Sequence, residues 1–140
     1  MAAVPVYATV DALAQWMDQD LPANGRAFLR SASIAVREYT ATAWYSVDGT
    51  GLPTAPDIAQ TFSDATCAQA AFLIGVGYDP LTGLLADGVE SEAGVGSARV
   101  VYADGAVASA RIYAAIHGLC SEARRIITLS GIVNGAPWIV

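Results

Sequence analysis

Apolar side chains recur every three to four residues along four stretches of this chain, and turn-forming residues separate the stretches. The longest runs from Thr54 to Tyr78. Pro56 suits a first helical turn, where a missing N–H is harmless, and Thr54 with Asp57 three residues on reads as a variant of the capping box. Ile58, Phe62, Ala65, Phe72 and Val76 then mark one face, with Gln60, Ser63, Asp64 and Gln69 between them. From Ala68 to Gly77 the segment is apolar nearly all round, so the rest of the chain is expected to wrap that half. Gly75, Gly77 and Asp79-Pro80 end it. The small residues Ala59, Ala65, Ala68, Ala70 and Ala71 admit close neighbours. The expected fold is mainly α: a small helical bundle around this long central helix, in a single domain over residues 1–140, with residues 9–78 as its helical core.

The other stretches are shorter. Residues 1–8 read as extended, and Thr9 is placed to cap a helix from Val10 to about Met17 with Leu13 and Trp16 inward. Asp18, Asp20, Leu21-Pro22 and Asn24-Gly25 form a turn. A second helix is expected from about Gly25 to Tyr39. Phe28, Ala32, Ala35, Val36 and Tyr39 make its apolar face; Arg26, Arg30, Ser33 and Arg37 make the opposite one at i, i+4, i+7 and i+11. Residues 40–53 are a loop in which Trp44 and Tyr45 cover the core and Asp48-Gly49 turns. Residues 79–96 mix Gly, acids and a few Leu, and suit a mobile connection. Residues 97–102 form one short β element, and a last helix covers about 106–128. Its apolar face is Ile112, Ile116, Leu119, Ala123 and Ile126, with Arg124 and Arg125 near its C-terminal end. An extended arm, 129–140, finishes on Trp138-Ile139-Val140, an apolar end expected to dock on something.

Composition sharpens this picture. Of 140 residues 54% are hydrophobic and only 14% charged, which fits either a subunit that hides surface in an assembly or simply an alanine-rich chain. Net charge is −6, with arginine as the sole strong base, so a phosphate-gripping surface is disfavoured overall. The arginine stripe of the second helix remains open to three readings: a solvated face paired with Asp or Glu, a contact surface for an acidic partner, or a DNA contact. Cys67 and Cys120 form no CxxC or metal spacing and read as buried thiols in a reducing setting. No basic start and long apolar core mark a signal peptide, and Ala68–Val76 is too short to cross a membrane.

Candidate chemistry is thin. His117 and Cys120 are helical neighbours at i, i+3, but no third orienting group is evident. Gly94-Val-Gly96-Ser97 lacks the Gly-Lys-Ser/Thr ending of a phosphate loop. Asp87, Glu90 and Glu92 lack calcium-loop spacing. No enzyme activity, metal or cofactor is expected.

The order of elements resembles that of the head-to-tail connector, or adaptor, proteins of long-tailed bacteriophages, from about Thr9 to Val140. The resemblance rests on the short N-terminal helix, a helix ending in Ala-Val-Arg-Glu-Tyr at 35–39, and a loop with Trp44. A Pro-x-x-Ile helix start follows (Pro53 or Pro56, with Ile58), then a Gly-x-x-x-Val-x-Tyr strand (Gly96, Val100, Tyr102) before the last helix. Such proteins form a ring, a dodecamer in the family, beneath the portal protein in the virion neck. DNA passes through it as non-specific cargo, and a tail-side connector or stopper protein attaches below. The resemblance therefore implies a structural subunit located in the virion, and in the host cytoplasm during assembly, with no membrane partner. It further implies subunit and portal contacts through Arg99, Val100, Val101 and Tyr102 and through the arm, Ile132, Trp138, Ile139 and Val140. Arg26, Arg30 and Arg37 match no family motif. The competing expectations are another neck or tail-completion protein, or a helix-turn-helix DNA-packaging factor. The acidic balance and the lack of a basic recognition helix stand against the last.

Overall fold

In the computed structural model, which describes residues 5–85, 110 and 112–132, the chain is a mainly helical bundle. Helix α1 is Val10–Met17, α2 Gly25–Tyr39 and α3 Pro56–Gly75; a short pair β1 (Tyr78–Asp79) and β2 (Leu84–Leu85) follows. A helical segment α4 at residues 112–117 precedes α5, Ser121–Ser130. The expected strand at 97–102 lies outside the described residues, as does most of the arm.

Local signals fix the first helices. The Thr9 hydroxyl oxygen accepts from the Ala12 amide at 3.1 Å, the N-cap bond that stands in for a missing turn. Asp18, in the left-handed conformation at φ 56°, closes α1 by donating its N–H to Ala14. Pro56 does open α3, but the capping box does not form. Ala55 is the N-cap and makes no side-chain bond, while Thr54 turns away and donates its amide to Ser46 at 3.0 Å. The loop before α3 is instead tied by Asp48, whose Oδ1 accepts from the Thr50 amide (2.8 Å), the Thr50 hydroxyl (2.6 Å) and the Leu52 amide (3.1 Å). These bonds, led by the hydroxyl, hold the Asp48 carboxyl below its ordinary pKa.

Helix α3 is the centre, packed by α1, α2 and α5. Two apolar clusters flank it. The first gathers Tyr7, Val36, Phe62, Ala65, Ala68, Leu119, Ala123 and Ile127. Phe62 is fully buried there, with Tyr7 edge-on at 4.8 Å and Tyr45 tilted at 5.0 Å. The second gathers Ala8, Leu13, Phe28, Leu29, Ala32, Ala70 and Leu73. Phe72 touches both. Alanines at 65, 68 and 70 on buried sides of α3 are what let three helices approach one, as the small-residue content anticipates.

Several positions differ from expectation, each for a physical reason. Trp16 is 38% exposed, because α1 spans only two turns and Leu13 alone reaches the core. Trp44 is 90% exposed; Tyr45 takes the covering role against Phe62. Tyr39 ends α2 half-exposed. The start of the supposed mobile connection, 79–85, is a tight antiparallel pairing, Tyr78 to Leu85 and Asp79 to Leu84, turned by Gly83 whose amide donates to Asp79 at 2.7 Å. The last helix is not continuous but breaks at 118–120. A Cβ at Gly118 would stand 3.1 Å from the Ala114 carbonyl, so the turn tightens there where only glycine fits easily. Arg124 consequently sits in the first half of α5, and its Nη2 donates back to the Leu119 carbonyl at 3.0 Å; the last turn of α5 has no basic residue.

The break is held by Gln69 of α3. Its Nε2 donates to the Ala115 carbonyl at 2.9 Å, and its Oε1 accepts from the Cys120 amide at 2.7 Å. The side chain is fully buried. It satisfies one orphan carbonyl at the end of α4 and one orphan amide at the start of α5, which a broken helix otherwise leaves bare.

Candidate interaction surface

The exposed face of α2 is built by residues that the helical period leaves outside while Phe28, Leu29, Ala32 and Val36 go in. Arg26, Arg30 and Arg37 are all exposed, as expected. Ser33, counted with them, is fully buried: its hydroxyl oxygen accepts from the Tyr7 amide at 3.2 Å. The extended residues 5–8 thus cross α2 along one edge of the stripe. That strap buries Tyr7 and Ala8 and leaves an open groove of about 510 Å³ lined by Val6, Thr9, Val10, Asp11, Arg26 and Leu29. Arg37 lies near Tyr7. Burial, and then Tyr45, push the Tyr7 phenol up to about 12, and the Arg37 charge opposes them.

Among the described residues no carboxylate forms an ion pair with Arg26, Arg30 or Arg37. The reading of this stripe as a face neutralised by its own Asp and Glu is therefore not what the described residues present. Ile34, 47% exposed, stands beside the arginines at i+4 from Arg30 and three before Arg37. The face reading from sequence passed over it, although the 100° period alone places it there.

Other large apolar side chains are also exposed: Trp44 in the loop before α3, Leu81 in the β-turn, Tyr113 on α4 and Leu129, 87% exposed, on α5. Single exposed apolar residues are ordinary, but these four lie on four separate elements of a small bundle. Of the arm, Ile132 is described. It is half-buried against the first cluster and donates its amide to the Ser130 hydroxyl at 3.2 Å. Arg99, Val100, Val101, Tyr102, Trp138, Ile139 and Val140 lie outside the described residues.

His117 and Cys120 part company. His117 is exposed and stacks on Tyr113 with ring centres 4.2 Å apart. Cys120 is buried, with its thiol directed at the Ala68 carbonyl at 3.7 Å. Burial raises the Cys120 thiol above its ordinary pKa, and Cys67 is pushed up to about 11 by burial and then by Asp64. Neither is the low-pKa, accessible thiol that nucleophilic chemistry requires. Among the described residues no group of three or more His, Cys, Asp or Glu could hold a metal ion, and no helix is long and apolar enough to cross a membrane. What the described surface offers is contact: a basic face with an apolar residue in it, and scattered apolar side chains. Set against family models, curated proteins and solved structures, the chain matches none.

Proposed function

We propose that this chain is a structural subunit of a phage neck. In this reading it forms a ring between the portal protein and a tail-side connector, with DNA passing through as non-specific cargo. The observation that carries the reading is the set of large apolar side chains left in water, Trp44, Leu81, Tyr113 and Leu129, in a chain with few charges. Aromatic side chains such as Trp44, 90% exposed, and Tyr113, 65% exposed, belong to the types enriched in the buried centres of subunit interfaces. The resemblance in element order supports the same conclusion, and the net charge of −6 suits a ring that lets DNA slide without adhering.

The test is reconstitution. Purified chain is mixed with DNA-filled heads that carry a portal and lack neck proteins, and the particles are imaged. A ring of density below the portal is the expected result; heads that stay bare overturn the proposal. A truncated chain ending at Ile132 keeps the packed Ile132 and removes Trp138, Ile139 and Val140. It should melt at the wild-type temperature yet fail to join the particles. Normal attachment of the truncated chain refutes the role of the arm.

A further inference from the structure

We infer that the exposed face of α2, centred on Arg30, Ile34 and Arg37, docks onto the acidic face of α3, Asp57 and Asp64, in a second copy of this chain. The inference deepens the neck reading by naming the surface through which neighbouring subunits join.

Three features lead to it. First, α2 presents two exposed guanidinium groups that no carboxylate among the described residues pairs, with an exposed isoleucine beside them. An apolar anchor flanked by arginines is the composition of a protein contact more than of a phosphate track, where the anchor would have no partner. Secondly, the occupant must be acidic, and the chain itself is: apart from this face it is more acidic than its net charge of −6. Thirdly, a matching surface exists. Asp57 is exposed and Asp64 half-exposed, on the side of α3 turned away from Phe62 and Ala65. Gln60 lies between them and donates Nε2 to Asp64 at 2.8 Å, which holds that carboxylate in place. Asp57 and Asp64 are seven residues apart, as are Arg30 and Arg37. Seven residues of helix rise about 10.5 Å, so both charge pairs can meet in one register.

The two faces are different surfaces of the same molecule, so the contact is heterologous. Each copy then offers one free face at either end, and repetition closes a ring if the rotation permits or extends a filament if it does not. The strap at residues 5–8 leaves Arg30 and Arg37 outside while it covers Ser33, whose hydroxyl oxygen accepts from the Tyr7 amide.

The test uses charge reversal on the full chain. R30E/R37E makes both faces acidic; D57R/D64R makes both basic. Sedimentation is compared at low and physiological salt, with melting curves to show that each variant folds. Each variant alone is expected to associate at least about 100-fold more weakly than wild type, because like charges then oppose one another. The equimolar mixture is expected to regain assemblies of wild-type size, because each acidic face now meets a basic one. Undiminished association of either folded variant alone overturns the inference, as does a mixture that stays dissociated or a wild-type chain that stays monomeric both alone and on portal-bearing heads. Loss of duplex-DNA binding by R30E/R37E with association intact overturns it in favour of a nucleic-acid face. Heads that take up wild-type chain but not the mixed pair sink this contact and leave the neck reading standing. Mixed-pair assembly with bare heads does the reverse.

Discussion

The buried Gln69 offers the sharpest test of how this bundle is held together. Its amide orientation follows from its partners, since the Ala115 carbonyl can only accept and the Cys120 amide can only donate. Gln69→Leu keeps the volume roughly constant and removes both bonds. Each buried group left without a partner costs about 1–3 kcal/mol, so two cost about 2–6 kcal/mol. The added apolar burial of leucine returns about 1–2 kcal/mol. The expected net loss lies between about 0 and 5 kcal/mol and centres near 2–3 kcal/mol, a large part of the ~5–15 kcal/mol typical of a domain. Urea unfolding followed by circular dichroism measures it. Gln69→Glu adds a sign test. Ionised, the new carboxylate can still accept from Cys120 but sets a second lone-pair oxygen against the Ala115 carbonyl; protonated, it can donate there again. The folded state therefore favours the protonated form and raises that pKa above the unfolded value of about 4.3. Stability relative to wild type should be nearly recovered below about pH 4.3 and lost as pH rises through the folded pKa. Two outcomes refute the reasoning: both variants within about 0.5 kcal/mol of wild type, or a Gln69→Glu deficit equal at pH 7 and pH 4.

Two other expectations concern the cores. Phe62→Ala removes the ring between Tyr7 and Tyr45 and should destabilise by about 3–5 kcal/mol in the same urea assay; a loss under 1 kcal/mol would show that the site collapses without it. Native chain at pH 8 should react with a thiol reagent only as fast as it unfolds, since both thiols are buried and raised in pKa; rapid labelling of either refutes the burial. The fold favours the neutral Cys67 thiol, so that contribution is complete below its ordinary pKa of 9.0 and disappears as pH rises from 9 to about 11.

Much of the helical frame was legible because its signals are local. Thr9 caps α1, Pro56 opens α3, and α2 begins and ends where its apolar period does. The failures share a cause: the deciding partner is far along the chain. Ser33 falls with the arginines by period, yet the Tyr7 amide, 26 residues earlier, buries it. Gln69 looks like one more polar residue between apolar ones, and only Cys120, 51 residues on, makes it a core residue. Hydrophobicity alone places Trp44 inside, but Tyr45, next to it, is the ring that packs on Phe62. On the candidate surface, the arginines are visible from spacing alone, whereas the lack of a carboxylate partner among the described residues is a three-dimensional fact.

The helix break explains why a buried amide is tolerated in an otherwise apolar half of α3. Residues 112–130 as one straight helix would run about 28 Å with a single apolar stripe. The two clusters, however, lie on different sides of α3. Ile116 packs with the second, while Ala115, Leu119, Ala123 and Ile127 pack with the first. Redirecting the chain at 118–120 lets α4 reach both clusters and sends α5 along the first. The redirection strips a buried amide and partly buried carbonyls of their helical partners. Gln69 is the only side chain of α3 that answers both kinds of group, and Arg124 supplies the Leu119 carbonyl from the far side. An apolar residue at 69 would improve the core of α3 taken alone and undo the junction that the whole bundle depends on.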